Sequence, residues 1–381
     1  MNIKACLYSV VLLMMAASVW AAPVSSNDVA HAIGNWRHRR GTLGTKMGEK
    51  VRDVRRVETD GVAFHVVRFA GGGHLIAPAD TTVRPVLMFS GGDDFDANPA
   101  NPALALIVAD LKAAGSSDEP AMATPNGVAP KGAARSPAER EWDELLDDDI
   151  AYASESNIDD VRVGPLVKSK WGQRDAQGGR CFNYYTPANC PCGCVATSLS
   201  QIMHYLKWPK SDAEIPQFTS HWPNYGGEAY TTQGGSFDWA NMPDEPANTE
   251  GLSETQRQAI GKLTGDVGIM HGISYGSSVS SGYVVQTRRV LMEDCGLGYS
   301  SATICHFQDA RSDGTEDKFV RAMISNFDAK LPVQLAIHSG HAILGDGYGY
   351  NGGQLYFHLN MGWGGSDDCW YSVPVGENDK I

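Results

Sequence analysis

The stretch "NCPCGCVATSLSQIMHYL", residues 189–206, decides how the rest of the chain is interpreted. Three cysteines alternate at its start, and the last of them, Cys194, runs into a segment with apolar residues at helical spacing. Trp208-Pro209 then interrupts the pattern, because proline cannot continue a helix. The sequence predicts a helix that begins at Cys194, with an apolar stripe made by Val195, Leu199, Ile202, Met203 and Leu206.

The position of Cys194 at a helix N-terminus suggests a nucleophile. Unpaired backbone N–H groups and the helix dipole favour a thiolate there, and the same N–H groups can stabilise an oxyanion. Two other interpretations remain open from the residues alone. Cysteines of an exported protein are commonly bridged, and a Cys-x-Cys-x-Cys run can bind soft metal ions, although zinc sites usually have another spacing.

The N-terminus predicts export. Lys4 precedes the short apolar run of residues 7–17, and the small-residue site ending at Ala21 follows. We therefore expect a signal peptide at residues 1–21 and a secreted product, extracellular or periplasmic, without a membrane span, because no other run approaches about 20 apolar residues. The net charge of −13 argues against a nucleic-acid partner. Removing Cys6 with the signal leaves seven cysteines, an odd number that flags one unpaired thiol.

Composition divides the remaining chain into two parts. Residues 22–137 carry a small α+β unit and end in a Pro-, Gly- and Ala-rich linker at 115–137. Its first part, residues 30–60, is polar and rich in Arg and Gly, and three strands and one helix are predicted after it: 62–69, 74–77, 83–89, and a helix capped by Asn101 that ends near Gly115.

Residues 138–381 form the predicted main domain. Its first half is helical, at 194–207, 253–270 and 283–295, and its last part reads as β structure in "LPVQLAI", "HAILGDGYGY" and "QLYFHLNMGW". Helices followed by an antiparallel sheet predict an α+β domain.

A thiolate nucleophile needs a base, and His341 is the best candidate among eleven histidines. It opens an apolar strand, and Asn360 and Trp363 follow on the next run. An asparagine amide can hold an imidazole in one tautomer, and an indole can shield that contact from water. His358 lies between His341 and Asn360 in the sequence and is the competing choice of base.

Four motifs resemble those of the streptopain family of bacterial cysteine peptidases, a papain-like group. "GCVATSLSQIMHYLKWP" is similar to its nucleophile segment, "GHAILGDGY" and "FHLNMGWGG" to its His and Asn/Trp segments, and "LVKSKWGQ" to the start of its catalytic domain. "GDVGIMHGISYGSSVSSG" resembles the stretch that leads to its substrate cleft, and the unit at 60–115 resembles its inhibitory prodomain.

The resemblance implies a papain-like catalytic domain behind a prodomain, and a secreted endopeptidase made as an inactive precursor, with polypeptide substrates and no cofactor or metal. It gives Cys194 the role of nucleophile, His341 that of base, and Asn360 that of orienting His341. It makes Gln173 an oxyanion donor. The residues expected to line the cleft or to shield the His–Asn pair are Ser281, Gly340 and Trp363.

The chain departs from the family pattern in two places. Met361 stands where the family usually has Trp, which leaves a catalytically silent peptide- or surface-binding relative as the alternative function. The family pattern also lacks extra cysteines before the nucleophile. Apart from Cys194, six cysteines follow the signal, and they could form three disulfides: Cys181, Cys190, Cys192, Cys295, Cys305 and Cys369.

Overall fold

The computed structural model describes residues 23–92, 94–115, 135–148, 160–220, 229–293, 295–302, 316–337 and 340–372. The predicted signal peptide, most of the predicted linker and Cys305 lie outside the described residues. Up to residue 146 the elements are α1 (Ser26–Arg39), β1 (Lys50–Thr59), β2 (Val62–Ala70), β3 (His74–Pro78), β4 (Met88–Ser90), α2 (Pro102–Gly115) and α3 (Pro137–Leu146).

After three short strands that the sequence did not predict, the main domain is helical first and β afterwards, as the sequence predicts. Its strands and helices are β5 (Asp160–Val163), β6 (Asp175–Ala176), β7 (Gly179–Arg180), α4 (Cys194–Leu206), α5 (Glu254–His271), α6 (Thr287–Met292), α7 (Glu316–Asp328), β8 (Val333–Ile337), β9 (His341–Asn351), β10 (Gln354–Asn360) and β11 (Cys369–Ser372). The prediction of an α+β fold is confirmed.

Two elements of the N-terminal unit, α1 and β1, overlap residues 30–60, where the sequence predicted only a polar stretch. Helix α1 is capped by Ser25, whose side chain accepts the Asp28 N–H, and it buries an apolar face that includes Trp36. Strand β1 alternates exposed and half-buried residues at the sheet edge. Abundant arginine masked both patterns, because a long basic side chain can lie on either element's solvent face.

One antiparallel sheet joins the two parts of the chain. Its strand order is β1-β2-β3-β4-β11-β10-β9-β5, and β8 also pairs with β9. The joint is the pairing of β4 with β11, where Trp370 faces Phe89 and Tyr371 faces Met88. The N-terminal unit therefore extends the sheet of the main domain by four strands.

Three apolar clusters stabilise this arrangement. The first surrounds α4 and α5 and contains Trp171. The second lies on one face of the sheet under α2 and α7, and the third lies under α1 and α3. Helix α4 packs across β8 and β9. This packing brings the N-terminus of α4 to the start of β9, which is where the candidate site lies.

Candidate active site

Cys194 is the first residue of α4, as the sequence predicts. Gly193 precedes it with φ +87°, a conformation that side chains rarely adopt, and a Cβ there would lie 3.1 Å from the Ser280 carbonyl oxygen. Burial raises the pKa of the Cys194 thiol, while the backbone N–H groups of Ala342, Val195 and Cys194 itself act to lower it. The sulfur thus lies beside the start of β9 and among the free N–H groups of a helix N-terminus.

His341 begins β9, one residue before the Ala342 amide that faces the thiol. Its Nε2 lies 3.1 Å from the carbonyl oxygen of Met361. A carbonyl can only accept, so Nε2 carries the proton and Nδ1 is the basic nitrogen. Burial lowers the pKa of His341. The ring is therefore neutral at pH 7, with one nitrogen available to take a proton.

Asn360 does not bond to His341, in contrast to the expectation. Its Nδ2 donates to the Ser169 carbonyl at 2.9 Å, and its Oδ1 accepts the Gly362 N–H at 3.0 Å and the Gln201 Nε2–H at 3.1 Å. Asn360 is the last residue of β10, and its buried side chain is taken up by these three partners. The Met361 carbonyl occupies the hydrogen-bonding role that the sequence assigned to the Asn360 amide.

Gln173 lies next to the nucleophile segment. Its backbone carbonyl accepts the Cys192 N–H at 2.9 Å, which fixes the Gln173 loop against the residues just before Cys194. Within the described chain, no hydrogen bond engages its side-chain amide. Gln173 is thereby placed close to the N-terminus of α4 with its side chain available.

A cavity of about 640 Å³ opens beside His341. Ser281 and Gly340, both expected at the cleft, line it, and Ser281 is fixed by a pair of backbone hydrogen bonds with Ser274. The sequence did not identify the other wall residues, because they come from four separate segments: Val195, His271, Val284 and Ile337. The wall is mainly apolar, which suits a bulky apolar side chain.

Trp363 was expected to shield the contact between His341 and Asn360. In the structure, both Trp363 and Met361 pack with the second apolar cluster. Met361 is fully buried in the second apolar cluster, and Trp363 packs against that cluster half-buried. Neither lines the cavity. The backbone carbonyl of Met361, however, accepts the hydrogen bond from the His341 ring. Met361, which departs from the family pattern, therefore contacts His341 through its main chain.

The expected disulfides are not found among the described residues. Free thiols occur at Cys181, Cys190, Cys192 and Cys369. Cys192 is fully buried, its sulfur lies 3.2 Å from the Thr197 hydroxyl, and burial raises its pKa to about 12. Cysteines at 190 and 192 thus act as small core or surface residues. In the described part of the chain, no group of three or more His, Cys, Asp or Glu side chains is arranged to hold a metal ion.

The N-terminal unit contacts the main domain away from the cavity. Asn101 donates to Asp367 at 2.7 Å, and the Ser90 hydroxyl donates to the Asp368 carbonyl at 2.7 Å. No described residue of this unit lines the cavity. None of the described helices has the length and hydropathy needed to cross a bilayer.

Comparisons with known proteins identify relatives of this chain. Streptopain from Streptococcus pyogenes is 27% identical over 252 residues, which are 60% of this chain and 60% of that protein. The thiol protease/hemagglutinin PrtT from Porphyromonas gingivalis is 29% identical over 180 residues, or 45% of this chain and 19% of that protein. The chain thus matches about three fifths of the length of the first of these relatives and a smaller part of the second.

A solved fragment of prointerpain A from Prevotella intermedia has the same fold. It superposes with a TM-score of 0.59 at 21% identity, covering 84% of this chain and 91% of the fragment. The model of the peptidase C10 family matches residues 171–371, more than half of the chain. The chain therefore belongs to the peptidase C10 family, a family of streptopain-like cysteine peptidases.

Proposed function

We propose that this chain is a cysteine endopeptidase with Cys194 as its nucleophile and His341 as its base. The observation that carries the proposal is the meeting of the α4 N-terminus with the start of β9, which places the Cys194 thiol beside the amide that follows His341. His341 and Ala342 line a largely apolar cavity that could receive a substrate side chain.

The reaction follows from these positions. His341 Nδ1 takes the thiol proton, and Cys194 Sγ bonds to the scissile carbonyl carbon. The negative charge that develops on the carbonyl oxygen is stabilised by the Cys194 N–H and the Gln173 side-chain amide. When the C–N bond breaks, the imidazolium returns its proton to the leaving amine. Water, deprotonated by the same nitrogen, then hydrolyses the thioester and restores the thiol.

The Met361 carbonyl supports the charge changes at His341. It holds the Nε2 proton throughout, so the ring cannot present Nε2 to the thiol. When the ring becomes an imidazolium, this hydrogen bond becomes charge-assisted and stronger. The carbonyl therefore fixes the tautomer and stabilises the protonated intermediate, which are the tasks of an orienting group in other nucleophile–base sites.

We also propose that the protein is exported and made as a precursor with a signal peptide at 1–21, a prodomain at 22–137 and a catalytic domain at 138–381. The support is the signal-like N-terminus and the way in which the N-terminal unit shares its sheet with β11. Inhibition by this unit would act through residues 367–372, because its described residues do not line the cavity. Cleavage within 115–160 would free the catalytic domain.

The test is hydrolysis of casein by the purified chain under reducing conditions. Cys194→Ala should abolish hydrolysis, and Cys190→Ala, which changes a free thiol four residues away, should not. The Cys194→Ala chain should also stay uncut unless active enzyme is added. Wild-type protein that binds peptides without cleaving them would favour the silent relative, and an uncut chain with full activity would refute the precursor proposal alone.

A further inference from the structure

The turn that carries the Met361 carbonyl is held at both ends. On one side, Gly362 N–H belongs to the same peptide plane as that carbonyl, and it donates to Asn360 Oδ1 at 3.0 Å. On the other side, Met361 N–H donates to Asp368 Oδ1 at 2.9 Å. Because the Met361 side chain is fully buried as well, the direction of its carbonyl is fixed by these two acceptors.

Asp368, which accepts the Met361 N–H, takes no direct part in the proposed reaction. A carboxylate is costly in a buried position unless other groups compensate for the lost hydration. Burial raises the pKa of Asp368 to about 7, against the opposing effects of the His358 ring, the Met361 N–H and Lys170, while the negative charge of Asp346 raises it further. Asp368 is a half-buried carboxylate bonded to the residue that orients His341, which suggests a role in that orientation.

His358 and Asp346 support Asp368 from behind. His358 Nδ1 donates to Asp346 Oδ1 at 2.6 Å, and Asp346 Oδ2 accepts the Val167 N–H at 2.8 Å. Burial acts to lower the pKa of His358, but the charge and hydrogen bond of Asp346 together raise it above its ordinary value. A positive His358 next to Asp368 then favours the carboxylate form that accepts most strongly from Met361.

We propose that Asp368 is a positioning residue for the reaction, whose carboxylate fixes residue 361 and thereby aims the carbonyl that receives the His341 Nε2 proton. This rests on the proposed peptidase function. Asp368 touches neither the cavity nor the thiol, so it acts only through Met361. Its loss should therefore lower kcat and leave KM nearly unchanged.

The neighbouring Asp367 offers a matched control. It is buried more deeply than the half-buried Asp368, its Oδ2 accepts from Asn101 of the N-terminal unit, and it makes no hydrogen bond to the turn. Asp368→Ala removes the acceptor for the Met361 N–H. Asp368→Asn keeps an oxygen acceptor and removes the charge. Each variant is produced as the full chain and then activated. Peptide hydrolysis and the rate of Cys194 alkylation by iodoacetamide are measured for the activated enzyme.

Asp368→Ala should lower kcat by about 10²-fold, the loss expected when a reacting group is misplaced by about 1 Å. KM should change by less than about threefold, since cavity contacts are intact. Asp368→Asn should restore most of kcat, within about fivefold of wild type, and should lose the ionisation near pH 7 from the kcat profile. Asp367→Asn should match wild type in both kcat and the profile.

The proposal would be overturned by an Asp368→Ala enzyme with kcat near wild type, or by an Asp368→Asn enzyme as slow as the alanine variant. If Asp368→Ala does not fold, Asp368→Asn decides alone: a large loss of kcat, or an unchanged pH profile, contradicts the positioning role. A wild-type chain that hydrolyses nothing would contradict the peptidase proposal instead. In that case equal alkylation rates in wild type and Asp368→Asn across pH 6–8 would overturn the positioning role as well.

Discussion

The two histidines of the β9–β10 pair lie in contrasting surroundings. His341 is on the open side, beside the cavity. In the described chain, the one hydrogen-bond partner of its ring is the Met361 carbonyl. His358 is on the buried side, where it bonds to the fully buried Asp346 and packs edge-on against Trp370 at 5.3 Å. Burial lowers the pKa of the first, and Asp346 raises that of the second.

This difference shows which features make a base. A general base must be neutral at the working pH and must have a nitrogen that is not already bonded. His341 meets both conditions. His358 is held by a carboxylate, and a charged ring in that position stabilises the buried side without being able to accept a proton. In the proposed mechanism the open side supplies reacting groups, and the buried side supplies supports with fixed partners.

The largest expected effect separates the two histidines directly. His341→Ala should lower casein hydrolysis by about 10⁴-fold or more, because nucleophile and base act as a unit, while the melting temperature stays close to wild type. His358→Ala leaves the buried Asp346 without its ion-pair partner and should lower the free energy of unfolding by about 3–5 kcal/mol. A His358→Ala enzyme that is stable but inactive, next to an active His341→Ala enzyme, would reverse the comparison.

Gln173→Ala tests a second reacting group on the open side. Removing one oxyanion donor should lower kcat by about 10²–10³-fold with little change in stability. Gln177→Ala on the same loop is the control, since Gln177 bonds to the carbonyl of Pro246 and has no role at the thiol. Equal kcat in the two variants would remove Gln173 from the site.

The pH dependence of thiol alkylation tests the charge state of the open side. Since burial raises the pKa of Cys194 above 9.0 and lowers that of His341, the resting pair is thiol and neutral imidazole. Only the thiolate reacts, so the alkylation rate of the uncut chain should rise about tenfold per pH unit and still be rising at pH 9. A rate that is flat from pH 6 to 9 would indicate a preformed thiolate–imidazolium pair.

The smallest effect concerns the cysteines that support the site. Cys192→Ala removes a buried sulfur from the first apolar cluster and should lower the free energy of unfolding by about 1–2 kcal/mol. Cys190→Ala should lie within about 0.5 kcal/mol of wild type. Because these thiols are free, adding reductant should not change either value. A reductant-dependent melting temperature that Cys190→Ala abolishes would restore the disulfide interpretation.

Local patterns in the sequence were sufficient for the nucleophile helix. The helical period after Cys194, Gly193 and the stop at Trp208-Pro209 predicted α4 to within one residue. Such signals act over a few residues, so they survive without knowledge of the tertiary fold. The α+β order of helices and strands was predictable for the same reason.

Long-range hydrogen bonds could not be predicted in this way. Asn360 ends β10 and has the residue type of an orienting amide, but Ser169 and Gln201, far away in sequence, take up its side chain. Similarly, nothing in the sequence distinguishes Asp368 from Asp367, although they bond in different directions. Only the packing of β9, β10 and the turn after β10 determines which acceptor reaches the His341 ring.

The most direct measurement compares the loss of casein hydrolysis with the extent of alkylation of each cysteine. The activated enzyme is treated with less than one equivalent of iodoacetamide, casein hydrolysis is measured, and the modified residues are identified by mass spectrometry of peptides. Activity should fall in a one-to-one relation with modification of Cys194, while Cys181 and Cys192 stay unmodified because they are buried. Modification of Cys194 with undiminished hydrolysis, or inactivation that follows another cysteine, would contradict the account.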